Sequence, residues 1–314
     1  MIVRERPTGW KLFLIMRGSV LPRIRNVLLI NLALSIAVTL AHGVLFAHKI
    51  TLTPIPFTLI GLALAIFLGF RNNVSYDRYW EGRKLWGTLV YSCRNLAREC
   101  LSLIDPTGHE RAGAAPLDEV GTRMIYRAIA YVHALRQRLR GTPDAGQLRP
   151  WLREAEWRQL NAEAPDPNQL MLAMGRDLQQ CLADQRIDPC LAASINATLN
   201  DMVAAATGCE RIRNTPIPFS YTLLLHRTAY LYCFMLPFGL VDTIGFMTPV
   251  VVSIVAYTFF GLDALGDEIE EPFGTSPNDL PLDAICRAIE SELRAAVGDP
   301  SPPPPLQPVN YCLL

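Results

Sequence analysis

The chain carries no net charge, its 29 Lys and Arg balancing 29 Asp and Glu, and it has no run of like charge. No basic face is therefore on offer to nucleic acid, and none is expected as a partner. Its eight cysteines (93, 100, 181, 190, 209, 233, 286 and 312) form no C-x-x-C pair, and its five histidines (42, 48, 109, 133 and 226) stand at no metal-ligand spacing from a cysteine or from one another on one helix face. That pattern argues against a zinc or dithiol centre. There is no Gly-rich phosphate loop, nucleophile elbow or HExxH motif, and residues 100 to 210 show no convergent acid, base and nucleophile. These absences argue against an enzyme. Signals for β-structure are also few.

Long apolar runs, by contrast, are present. Half of the 314 residues are hydrophobic, and they gather in two zones on either side of a polar stretch from about 100 to 210, which points to lipid. Asn26 to His48 and Ile50 to Phe70 contain no Asp, Glu, Lys or Arg, and only Lys49 separates them. Each is long enough to cross a hydrocarbon layer as a helix, with Pro54 and Pro56 breaking the chain between them. The second zone starts near Pro216. Thr228 to Val241 and Thr243 to Leu262 are free of charge and divided by Asp242, the earlier one being short unless it takes in His226 and Arg227. The expected fold class is all-α: an integral membrane bundle of four transmembrane helices with a large helical region outside the membrane. The expected division is 1–80, 81–215, 216–265 and 266–314.

Basic residues set the orientation. Arg4, Arg6, Lys11, Arg17, Arg23 and Arg25 precede the first span, and Arg71, Arg78, Arg83 and Lys84 follow the second. Both termini and the 71 to 215 region are therefore expected in the cytoplasm, where thiols stay reduced. A secretory signal at Trp10 to Met16 is disfavoured by Lys11 and by the arginines that occupy the place of a cleavage site. A short interfacial helix feeding the first span fits better. Outside the membrane, helices are predicted at roughly 82 to 104, 117 to 140, 150 to 163, 168 to 185 and 189 to 213. The proline-rich tail after about 297 is predicted as an extended strap on its own or a neighbouring subunit.

In the second span, Leu62, Ile66 and Phe70 are spaced by four and share a helix side, beside a strip of small residues, Gly61, Ala65 and Gly69. Copies of this helix around an axis can line a hydrophobic constriction that gates by dewetting. Packing against lipid and neighbouring helices is the commoner use of such a stripe, and periodicity does not choose between them. The aromatics Tyr76, Tyr79, Trp80 and Trp86 are expected at the membrane interface. Pro237 and Pro249 are expected to kink their helices.

The segment Phe67-Leu-Gly-Phe-Arg-Asn-Asn-Val-Ser-Tyr-Asp-Arg-Tyr-Trp-Glu-Gly-Arg-Lys-Leu-Trp-Gly87 resembles the signature segment of bacterial bestrophin homologues. Cys209-Glu-Arg-Ile-Arg-Asn-Thr-Pro-Ile-Pro-Phe219, Asp267-Glu-Ile-Glu-Glu-Pro-Phe-Gly274 and Asn278-Asp-Leu-Pro-Leu-Asp283 resemble further family segments. The resemblance implies a homopentameric ion channel in the inner or plasma membrane, passing small inorganic ions through one central pore. It implies a neck formed by Leu62, Ile66 and Phe70. Asn72, Asn73 and Ser75, just beyond it, are expected to ease an ion's rehydration without fixing its charge. A second, cytosolic aperture maps to Gln180. No cofactor is implied. Calcium activation is not expected, because Pro272-Phe-Gly274 is followed by Thr275-Ser-Pro-Asn278 rather than an acidic run, leaving Asp279 and Asp283 as the nearby carboxylates. The Arg-Phe-Pro triplet of the wider family is absent.

An apolar neck does not choose a sign of charge, so chloride and sodium both stand. Asp263, Asp267, Glu268, Glu270 and Glu271 are either a cation-attracting vestibule or, more commonly, a solvated helix end. Arg227 is expected to snorkel or pair. A secondary carrier and a membrane-anchored adaptor are the competing function classes.

Overall fold

The computed structural model describes residues 1–4, 9, 15–16, 18–41, 44–45, 48–49, 53–105, 117–159 and 166–314. The chain forms two compact units. One comprises Arg4–Tyr79 and Pro216–Glu271, the other Met1–Val3, Trp80–Thr215 and Pro272–Leu314.

The first unit holds α1 (Leu21–Leu40), the opening half of α2 (Pro54–Leu103), α7 (Phe219–Ile244) and α8 (Thr248–Glu270). A short antiparallel hairpin, β1 (Val44–Leu45) with β2 (His48–Lys49), follows α1. Among the described residues, Leu21–Leu40, Pro54–Leu103 and Phe219–Glu270 are helical stretches long and apolar enough to cross a membrane. The last divides into α7 and α8 at the turn Gly245–Met247, where Gly245 adopts φ 53°, a left-handed value that suits glycine. No more than 28% of each apolar window is buried within the chain, so most of these side chains need lipid or another chain as their solvent.

Several boundaries differ from expectation for identifiable reasons. Pro54 and Pro56 do not break the chain; both lie in the first turn of α2, where missing N–H groups cost nothing. Residues 51 and 52 of the predicted turn lie outside the described residues, as do 10–14 of the predicted interfacial helix. Pro249 starts α8 rather than kinking it, while Pro237 is buried inside α7. α7 begins at Phe219 and so takes in His226 and Arg227, which makes it longer than the charge-free run that starts at Thr228. Ile24, Leu64, Leu68, Leu225, Ala229, Cys233, Ala256 and Phe260 form the common core of the four helices. Within it, the buried Asn31 amide of α1 donates to the Cys233 carbonyl of α7 at 2.8 Å, the kind of polar link that holds helices where hydrophobicity gives no drive.

The second unit takes the rest of α2 with α3 (Val120–Arg140), α4 (Glu154–Gln159), α5 (Pro167–Ala183), α6 (Pro189–Asn214) and α9 (Leu282–Ala296). The helix predicted at 82 to 104 is the continuation of the second span. The one predicted at 150 to 163 is a 3-10 turn, Ala145–Trp151, followed by the short α4, and residues 160–165 lie outside the described set. Capping fixes the ends: Glu119 accepts from the Gly121 N–H at 2.8 Å, Asp166 from Asn168 at 3.1 Å and Asp188 from Cys190 at 2.8 Å, the latter two followed by proline at the first helical position. α3 is the central helix, with Met124, Ile125, Ala128, Ile129, Val132 and Leu135 fully buried. Trp86, expected at the membrane interface, is also fully buried in this unit. It lies on the inward face of α2, four residues after Gly82, which packs against Phe273.

The tail is extended, as predicted, and lies on its own chain. Val3 N–H donates to the Tyr311 carbonyl at 2.9 Å, Ala284 N–H to Leu314 at 2.8 Å, and Ile2 bridges to Cys312. The eight cysteines are unpaired. Burial pushes the Cys209 and Cys286 thiols up to about 12, which keeps them inert.

Inside this unit Asp177 of α5 accepts from Arg123 Nε and Nη2, both at 2.9 Å, and from Arg127, which also holds Glu156. Burial pushes the Asp177 carboxyl up, but hydrogen bonds and charge from Arg123 and Arg127 outweigh it and hold the group below the usual carboxylate range. Its stabilising contribution is thus complete above the ordinary carboxylate pKa and is lost as pH falls through the lower folded value. Asp177→Asn is expected to cost about 3 kcal/mol near neutrality by leaving two buried guanidiniums short of an anion. It should also flatten the fall in thermal midpoint between neutral and acid pH. A variant that melts in parallel with the parent at every pH would rule out this role.

Candidate functional site

The first half of α2 has two unlike faces. Leu64, Leu68, Arg71 and Ser75, spaced by four, three and four, are all at most 2% exposed. Leu62, Ile66 and Phe70 lie on the opposite side and are 62%, 48% and 57% exposed. Three bulky apolar side chains thus stand free of their own chain in one line. Phe70 is braced by an edge-on contact with Phe67, ring centroids 6.4 Å apart, and the Phe67 carbonyl accepts from the Tyr221 hydroxyl of α7 at 3.2 Å. Of the small strip, Gly61 is where helices come close: a Cβ there would sit 2.7 Å from the Tyr232 hydroxyl of α7. Gly69 has open space around it.

One residue after Phe70, the chain buries a charge. Arg71 is fully buried and its guanidinium reaches three carboxylates of α8: Asp263 at 2.8 Å, Asp267, and Glu270 at 3.7 Å. Asp263, itself 3% exposed, also meets His226 Nδ1 of α7 at 2.7 Å, while Asp267 reaches Arg23 of α1 at 3.6 Å. His226 in turn packs on the Tyr230 ring, centroids 4.2 Å apart. Glu270 caps the start of the chain into α7 by accepting from the Ile217 N–H at 3.1 Å. This network draws on α1, α2, α7 and α8. The acidic residues at 263, 267 and 270 thus serve as counter-ions to a buried arginine.

The polar residues that follow Phe70 diverge. Asn73 is exposed, but Asn72 turns toward α8, where its Oδ1 would lie 2.5 Å from a Cβ placed on Gly266. Ser75, predicted to ease rehydration, is fully buried beside Arg71 on the inward face. Successive residues of a helix point about 100° apart, so adjacent polar residues cannot share one face. Gln180 belongs to the other unit, exposed on α5 with its amide donating to Asp184 at 2.9 Å.

The model of the bacterial/fungal bestrophin family matches residues 1–295. The chain belongs to the bacterial/fungal bestrophin family. It is 43% identical over 303 residues to a voltage-dependent anion channel-forming protein of Mesorhizobium japonicum, covering 96% of this chain and 94% of the relative. It is 43% identical over 294 residues to the voltage-dependent anion channel-forming protein YneE of Escherichia coli K12, covering 93% of each. A crystal structure of a bacterial bestrophin homologue from Klebsiella pneumoniae superposes with TM-score 0.79 at 36% identity, over 86% of this chain and 97% of that one.

For a bestrophin, the residues that sequence reasoning passed over are Arg71 as a buried group and His226 as its indirect partner. A signal existed: Arg71 continues the Leu64, Leu68 spacing inward, and the acids at 263, 267 and 270 repeat every three to four residues on α8. Asp263→Ala is expected to cost about 3–5 kcal/mol, because the Arg71 guanidinium keeps its burial and loses a close anion. Thermal unfolding in detergent micelles measures this; a shift within scatter of the parent would show that Arg71 is not held through Asp263.

Proposed function

We propose that the chain is a pore-forming subunit of a bestrophin-type ion channel, five copies placing their α2 helices around one axis with Leu62, Ile66 and Phe70 as a hydrophobic neck. The family and its channel-forming relatives argue for a channel rather than an enzyme. One observation carries the placement of the neck: a continuous line of large apolar side chains on α2 that is left exposed among the described residues. In this reading α1, α2, α7 and α8 are the four spans, and the basic residues flanking them place both termini in the cytoplasm. Asn73 continues the pore surface and Gln180 supplies the cytosolic aperture, its hydrogen bond to Asp184 fixing the side chain. No calcium is required: Asp283 is spent on Arg136 and Arg140, and Asp279 on the Ser276 N–H. The ions are small and monovalent, and the anion-channel names of the relatives put chloride among the candidates.

A carrier working by alternating access is less well supported, because the exposed side of α2 offers no polar midplane site built from a broken helix; the helix runs unbroken from Pro54 to Leu103. Replacing Leu62, Ile66 and Phe70 together with Ala removes bulk from an exposed surface and leaves the inward face untouched. The triple variant should keep its fold and oligomeric state and show a unitary conductance several-fold higher in planar bilayers, as the neck widens and wets. Unchanged conductance in a correctly assembled triple variant would remove the neck from α2.

A further inference from the structure

The exposed line of α2 does not end at Phe70. Asn73 and Asp77 follow at spacings of three and four, and both are exposed. Asp77 lies seven residues after Phe70, about 10 Å along the helix axis and nearly in register with it. From Pro54 to Tyr79 the charged residues of α2 are Arg71, Asp77 and Arg78. Arg71 is buried against α8, and Arg78 Nε donates to the Glu270 carbonyl at 3.2 Å. Asp77 accepts no hydrogen bond and makes no ion pair among the described residues, whereas three of the five acids at 263 to 271 are committed to Arg71. The carboxylate is thus the one charge on the outward face of this stretch, and it is held by a rigid helix rather than by a loop.

We infer that Asp77 determines the sign of the permeant ion: repeated in every subunit on the pore-facing side of α2, it forms a ring of carboxylates past the neck that admits small monovalent cations in preference to anions. The inference rests on the placement of α2 proposed above. The physical case is that an apolar neck has no charge preference, so the nearest fixed charge facing the ion path decides which ion accumulates at its mouth. Low-dielectric walls focus that field. Of the charges that follow on α2, Glu81 is paired with Arg211, and Arg83 and Lys84 come more than a turn later.

The test is the reversal potential of purified, oligomeric protein in planar bilayers under a sodium chloride gradient, for the parent, Asp77→Asn and Asp77→Glu. Because Asp77 is exposed and unpaired, Asp77→Asn should assemble as the parent does, which size-exclusion chromatography checks. The expected result is a parent reversing near the sodium potential, a sodium-to-chloride permeability ratio about tenfold lower in Asp77→Asn, and recovery in Asp77→Glu. A parent reversing near the chloride potential, or an Asp77→Asn variant as cation-selective as the parent, overturns the inference and leaves the channel reading standing. Absence of unitary currents from verified oligomer overturns both.

Discussion

A guanidinium taken out of water must find anions in place of the hydration it gives up, and Arg71 finds them on α8. The consequences reach every helix of its unit. Asp263 and Asp267 carry the network on to His226 of α7 and Arg23 of α1, so the residue that follows Phe70 is held by α8 carboxylates that α7 and α1 hold in turn. Rotation of α2 about its axis would expose Arg71 to apolar surroundings or strand the α8 acids without a cation. The outward direction of Leu62, Ile66 and Phe70 is therefore the counterpart of the inward direction of Arg71, Leu68 and Leu64. A hydrophobic neck needs side chains held at fixed orientation, and apolar packing alone allows a helix in lipid to turn at little cost. A buried ion network supplies the rotational register that packing does not.

The two units use charge differently. In the first, a network centred on the buried Arg71 joins four largely apolar helices. In the second, carboxylates and arginines form several separate clusters: Arg123 and Arg127 with Asp177, Arg136 and Arg140 with Asp283, and Glu99 satisfied by the Ser194 and Thr198 hydroxyls at 2.8 Å each. That distribution suits a helical body with water outside, where a central apolar helix, α3, supplies the core and polar clusters tie its neighbours to it. The burial of Trp86 follows the same rule, since a residue on the inward side of α2 joins whichever core that part of the helix meets.

Much of this was legible from the residues. The apolar runs, the helical character, the proline-rich strap, the stripe of Leu62, Ile66 and Phe70 and the family segments are local patterns, and local patterns survive without knowledge of neighbours. Other features were misplaced. Pro54, Pro56 and Pro249 are punctuation whose sense depends on whether they fall inside a helix or on its first turn, and composition does not say which. Asn72 and Ser75 share a motif with Asn73 but face other helices.

The sequence by itself determined the solvent of each part, the helices and the family, because these depend on side-chain polarity and its period along one chain. Only the tertiary structure decided what the charges are for. Asp263, Asp267 and Glu270 look like any acidic helix end until α2 is placed beside α8, and Asp77 looks like one more acid in a motif until its neighbours are seen to be paired and it is not. The energy of a charge is set by what surrounds it at a few ångströms, and residues separated by 192 positions in the chain become neighbours only in the fold.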